Sequence, residues 1–275
     1  MKIMIIGSSR SVNTFRYLYE VFKDQLPEEE MTLGILYHSG CSMSMHRGFI
    51  ERGEAACDYY LNADGYWNIT KGVTADVGIA DQPWDVVFLQ AGKGDTDKEM
   101  NRETRQFLVD FVNGILKNPH VFWWHSTWFN AEDPDLYAEG KKHKLVGVDQ
   151  VAQLTVTNEA AVKYVLNDPM FAGHIASGTP MLYARKVLGL QDKDILRDHT
   201  HLSDFGYLLA GYSFFAQFTG KPVTGIGLDK IPAHLRHKST QHLGDFVITE
   251  EMKEIVLKAV AYTLENPWSV PTGNE

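Results

Sequence analysis

The 275 residues are 44% hydrophobic and 22% charged, with 35 acidic against 26 basic side chains and a formal net charge of -9. This composition excludes a disordered, collagenous or low-complexity chain, and the acidity argues against bulk binding to nucleic-acid phosphates. Cys41 and Cys57 build no disulfide framework, no apolar run nears the ~18–20 residues of a membrane span, and the N-terminal run is shorter than the roughly 7–15 residues of a signal-peptide core. The chain therefore reads as cytoplasmic, with neither nucleic acid nor membrane as a partner.

Residues 2–6 are a short apolar run closed by Gly7, the pattern of a parallel strand buried on both faces. Residues 11–26 follow as a helix with Phe15, Leu18 and Phe22 on one stripe, ended by Pro27. A second strand is expected at 32–37, a helix at 44–60, a third strand at 86–90 and a helix at 98–116. Then come a strand at 119–124, a helix at 148–166, a weaker strand at 173–177 and helices at 180–188, 203–218 and 250–264. The alternation predicts a doubly wound sheet of about five parallel strands with helices on both faces. With no linker or repeat, one domain over 1–275 is the economical reading. The stretches 61–82, 129–147 and 221–248 read as long loops, where lids are often found.

Ligands of such sheets bind at the carboxyl ends of the strands. Small and polar residues gather at those ends: Gly7-Ser8-Ser9, Gly40-Cys41-Ser42, Gln90-Ala91-Gly92 and His125-Ser126-Thr127. Ser8, Ser9 or Ser11 can simply cap the first helix. A serine on that turn can also expose its hydroxyl beside helix N-terminal amides, which hold an oxyanion. A nucleophile needs a base, and Asp198-His199-Thr200-His201 supplies one. Asp and His three apart share a turn, so the carboxylate can fix the tautomer of His201. His199 is the rival base, but its adjacency to Asp198 points it the other way.

Together these motifs resemble the SGNH/GDSL serine hydrolase superfamily, in which an early G-D-S or G-N-S carries the nucleophile and a late D-x-x-H the acid and base. Gly40-Cys41-Ser42-Met43-x-x-His46, the segment from Trp84 to Gln90, His125-x-x-Trp128 and Asp198-x-x-His201-Leu202 recur in order in an uncharacterised bacterial branch of it. The resemblance runs from residue 2 to about residue 220, leaving 221–275 as a C-terminal loop and helix. It implies a flavodoxin-like three-layer α/β/α fold, a serine esterase needing no cofactor, and a small acyl ester as substrate, most plausibly acetyl on a carbohydrate.

Carried over, Ser9 is the nucleophile, His201 the base, Asp198 its partner, and the amides of Ser9 and Gly40 the oxyanion hole. The family's third-block Asn falls on Gly94, which has no side-chain amide. Gln90, at the end of its strand, is the expected substitute donor. His46, His125 and Trp128 are candidate pocket residues. No His/Cys cluster has metal-ligand spacing. A second reading takes Ile6-Gly7-Ser8-Ser9-Arg10-Ser11-x-Asn13 as an FMN-phosphate loop of a flavodoxin-like reductase. A third, prompted by Gly94, is a non-catalytic carbohydrate-binding relative.

Overall fold

A computed structural model describes residues 1–91, 100–145 and 148–274. In chain order it holds β1 (Lys2–Gly7), α1 (Ser9–Phe15), α2 (Leu18–Gln25), β2 (Thr32–Tyr37), α3 (Met43–Glu51), β3 (Cys57–Asn62), β4 (Asn68–Val73), α4 (Ala75–Ala80), β5 (Val86–Gln90), α5 (Met100–Ile115) and β6 (Val121–Ser126). There follow α6 (Gln150–Tyr164), β7 (Gly173–Ala176), α7 (Gly178–Lys186), α8 (Asp192–Ile195), α9 (Asp204–Thr219), β8 (Lys230–Ile231), β9 (Phe246–Val247) and α10 (Glu250–Glu265). The class is the expected α/β fold, a mostly parallel central sheet flanked by helices. These residues form two compact units, each assembled from separated stretches of sequence.

The first unit comprises Met1–Val12, Glu28–Thr127 and Ala160–Ile175 and contains the main sheet. Its seven strands run in the order β4-β3-β2-β1-β5-β6-β7. β1 pairs parallel with β2 and β5, and β5 parallel with β6. The apolar runs of β1 and β5 are buried along their length, as double-sided burial requires. One sheet face, with Met4, Ile6, Leu36, Val87 and Leu89, packs on Met43 of α3, Ile79 of α4 and Leu108 and Val112 of α5. Gly34 lets the Trp84 ring lie against β2, since a Cβ there would come within 2.4 Å of it.

The sheet exceeds the expected five strands. The helix predicted over 44–60 stops at Glu51, where Gly53 adopts φ 61 and Glu54 N–H closes on Phe49 O at 2.9 Å. That left-handed glycine just past the helix is a standard C-terminal stop. Residues 57–62, expected as helix up to residue 60, then pair antiparallel with β2, and 68–73, expected as loop, pair antiparallel with β3. β4 is exposed at every position but the last, so it carries no apolar alternation to read.

Because β2 lies on one side of β1 and β5 on the other, the chain reverses its direction of travel across the sheet at β1. Crevices open outside the carboxyl ends of strands at such switch points. Gly7 ends β1 and Gln90 ends β5 at this place.

The second unit comprises Asn13–Pro27, Trp128–Glu159 and Ala176–Glu275. Its centre is α9, buried on all sides from Asp204 to Ala216. Phe15, Tyr17 and Phe22 meet Phe214, Tyr207 and Phe215 edge to face at 5.4, 5.3 and 5.2 Å. Ser203 caps α9 through Gly206 N–H, and Gly220 ends it with φ 66. The stretch 221–248, expected to be loop, carries the antiparallel β8–β9 ribbon, and Arg236 from it donates twice to buried Asp204 at 2.8 and 3.1 Å. Among the described residues no helix is long and apolar enough to cross a membrane.

Glu20 of α2 buries Oε2 with no hydrogen-bond partner, and burial pushes its carboxyl up to about 7. Because the folded value lies above the unfolded one, the contribution of Glu20 to stability is fully present below about pH 4 and is lost as pH rises through about 7. Glu20→Gln is therefore expected to stabilise the fold by on the order of 3 kcal/mol above neutral pH and to change little at acid pH. Tm measured against pH for both proteins checks the sign.

Candidate active site

In the first unit, the turn between β1 and α1 is fastened to the end of β5. Gln90 Oε1 accepts from Ser8 N at 2.9 Å, Ser8 Oγ at 2.8 Å and Ser11 Oγ at 3.1 Å. Its Nε2 donates to Ala91 O. The amide orientation is dictated by its partners, since Ser8 N–H can only donate and a carbonyl can only accept. Gly7 must be glycine here, because a Cβ would come within 2.3 Å of Ser11 Oγ and 2.7 Å of Gln90.

Gln90 thus reaches the expected edge, but its carboxamide holds the serine turn. That corrects the expectation of an oxyanion donor. Ser8 and Ser11 belong to this fastening, and Ser9 is the half-buried serine that opens α1. Gln90→Ala is expected to orphan these buried donors and destabilise by about 1–3 kcal/mol or more. Urea denaturation reads this, and an unchanged midpoint would show the fastening to be dispensable.

His46 Nε2 donates to Gly7 O at 3.0 Å, and burial lowers its pKa to about 4, so the ring is neutral. Its Nδ1 lies 3.9 Å from Cys57 Sγ. Burial also raises the Cys57 thiol to about 11, which removes it as a nucleophile at neutral pH. His125, at the end of β6, is lowered to about 3 by burial and then by the Arg10 guanidinium. Gly40 is exposed past the end of β2 with φ 64, a conformation glycine adopts without strain.

In the second unit, His201 Nδ1 lies 3.0 and 2.9 Å from Asp198 Oδ1 and Oδ2. Asp198 Oδ1 also accepts the backbone N–H of Thr200 at 3.0 Å and of His201 at 2.9 Å. Burial alone would raise the Asp198 carboxyl, but these hydrogen bonds outweigh it and hold the group well below the usual carboxylate range. With Nδ1–H directed at a carboxylate, Nε2 is the basic nitrogen of His201. His199 Nδ1 stands 3.8 Å from Asp198 Oδ1, too far for a hydrogen bond, and its ring packs on Tyr137 at 5.0 Å. The pairing expected for His201 is thus the one observed.

Trp128 donates its indole N–H to Thr200 O at 2.9 Å. His46, His125 and Trp128 are only 2, 0 and 4% exposed. Buried to that degree, they do not line an open pocket, which corrects the expectation for all three. His46 and Trp128 instead brace backbone next to the candidate catalytic residues.

Sequence reasoning missed Asn13, whose Oδ1 accepts Leu202 N–H at 2.7 Å across 189 residues. Burial, then Arg197, Arg16 and His201, lower His237 to about 4. Among the described residues no three His, Cys, Asp or Glu side chains gather as a metal site. Gly94 lies outside the described residues.

Residues 2–239 match the family model of a domain of unknown function, DUF4886. No curated protein matches the chain. The crystal structure of a DUF4886 family protein from Bacteroides uniformis is 22% identical and superposes with TM-score 0.78, covering 99% of this chain and 97% of that one. The two share a fold. A catalytic mutant of Axe2, an acetylxylan esterase from Geobacillus stearothermophilus, is 11% identical with TM-score 0.46, over 78% and 93% of the two chains. A member of the lipolytic G-D-S-L family from Veillonella parvula is 17% identical with TM-score 0.45, over 80% and 98%.

Proposed function

The chain belongs to the DUF4886 family, and we propose that it is a serine ester hydrolase with Ser9 as nucleophile, His201 as base and Asp198 as orienting acid. The Asp198–His201 pair carries this reading. A carboxylate that stays ionised fixes the imidazole tautomer and stabilises the imidazolium formed during reaction.

In the reaction, Ser9 Oγ attacks the acyl carbonyl while His201 Nε2 takes its proton. The backbone N–H groups of Ser9 and Gly40 donate to the oxyanion of the tetrahedral intermediate. The imidazolium returns the proton to the leaving alkoxide, releasing an alcohol and an acyl-Ser9. Water, deprotonated by the same imidazole, attacks the acyl-serine; the tetrahedral intermediate collapses to the carboxylic acid as the imidazolium returns the proton to the departing Ser9 Oγ, restoring serine and base.

The narrower part of the proposal is a small acyl group, acetyl, on a carbohydrate, and it rests on the superfamily resemblance. Acetate release from an acetylated oligosaccharide and from an aryl acetate tests both parts. Release from the aryl ester alone would retain the esterase and remove the carbohydrate; release from neither would remove both. The flavin reading is disfavoured because the Ser8 amide and the Ser8 and Ser11 hydroxyls, which would cradle a phosphate, are committed to Gln90.

A further inference from the structure

A general base works only when its ring is held in place, yet His201 sits on a connection between two helices, α8 and α9. The residues after Asp198 are fixed one by one. His199 O accepts Ala131 N–H at 2.9 Å, Thr200 O accepts Trp128 Nε1–H at 2.9 Å, and His201 O accepts Arg197 N–H at 2.9 Å. Leu202 N–H donates to Asn13 Oδ1 at 2.7 Å. Two of these four bonds come from side chains, Trp128 and Asn13, and both side chains are buried. Bonds shielded from water do not exchange readily with solvent, so they hold a loop more firmly than exposed ones.

We infer that Trp128 and Asn13 are positioning residues for His201, an inference that rests on the reading of His201 as the base. Trp128 fixes the residue before His201 and Asn13 the residue after it. The ring can then keep Nδ1 on Asp198 through the proton transfers at Nε2. Asn13 lies one helical turn beyond Ser9 on α1. A buried indole N–H or carboxamide needs a partner in any protein, so the test must separate positioning from mere satisfaction.

The experiment compares Trp128→Phe, which keeps an aromatic ring but no N–H, with Asn13→Leu, which cannot accept, and Asn13→Asp, which can. Turnover of an aryl acetate is read with the downfield proton resonance of the His201 Nδ1–H bonded to Asp198. Trp128→Phe and Asn13→Leu are expected to lower kcat about 10- to 100-fold with KM within about twofold, and to weaken or shift the resonance. Asn13→Asp is expected to recover most of the loss and, by its added charge, to move the acid limb of the pH profile upward. Folded variants with parental kcat and an unchanged resonance would overturn the inference. If one variant fails to fold, the other decides. If the parent turns over no ester, the proposed function fails, while the resonance alone still decides whether Trp128 and Asn13 hold the pair.

Discussion

Ser9→Ala is expected to lower turnover of an aryl acetate by about 10⁴–10⁶-fold, leaving roughly 10³ over the reaction in water. The residue that loses its hydroxyl opens α1 directly after the strand at the topological switch point, where α/β sheets bind ligands. The residual rate comes from the backbone donors, which the substitution leaves in place. Ser8→Ala is the matched control. Ser8 Oγ is engaged with Gln90 Oε1 at 2.8 Å, so its loss is expected mainly as about 1 kcal/mol of stability. Steady-state rates and denaturation midpoints of both variants check the contrast. A Ser9→Ala protein as fast as the parent would end the serine-hydrolase reading.

Asp198→Asn is expected to cost about 10⁴-fold in kcat, because a carboxamide can present N–H to Nδ1 and hold the imidazole in the wrong tautomer. His201→Gln is expected to cost at least as much and to remove the acid limb of the pH–rate profile. The sign follows from the proton inventory. The imidazole must be neutral to accept the Ser9 proton, so activity is expected to rise with pH along the acid limb. Asp198, held well below the usual carboxylate range, stays ionised throughout that rise and adds no second limb. His199→Gln is expected to keep the limb, since its Nδ1 is 3.8 Å from Asp198. The reverse pattern, with the limb lost on changing His199 and kept on changing His201, would reassign the base.

The parts of this arrangement that were legible in the sequence are the local ones. β1, β2, β5 and β6 were readable because continuous apolar runs closed by small residues admit few other structures. Asp198 and His201 were readable as a pair because a separation of three positions on one turn sets their distance without help from the rest of the chain. β3 and β4 were not. Tyr59 and Tyr60 extend the apolar stripe of the preceding helix, and β4 at the sheet edge has almost no buried face. The glycine that breaks the pattern, Gly53, was the available signal.

The misread site residues fail for another reason. Whether His46, His125 and Trp128 face a pocket or the core depends on packing that no spacing rule encodes. Gln90 meets Ser8 across 82 residues and Asn13 meets Leu202 across 189, so neither bond has a local signature. In each case the residue's place at the sheet edge or helix was predictable and its partner was not.

Labelling with a fluorophosphonate, followed by peptide mapping, tests the central claim most directly. It depends on nucleophile, base and oxyanion donors acting together and needs no knowledge of the substrate. The account predicts modification of Ser9 alone in the native protein, with none in Ser9→Ala, a strongly reduced rate in His201→Gln, and none after denaturation. A label on Ser8 or on any other residue, or no label in a protein that hydrolyses an ester, would contradict it.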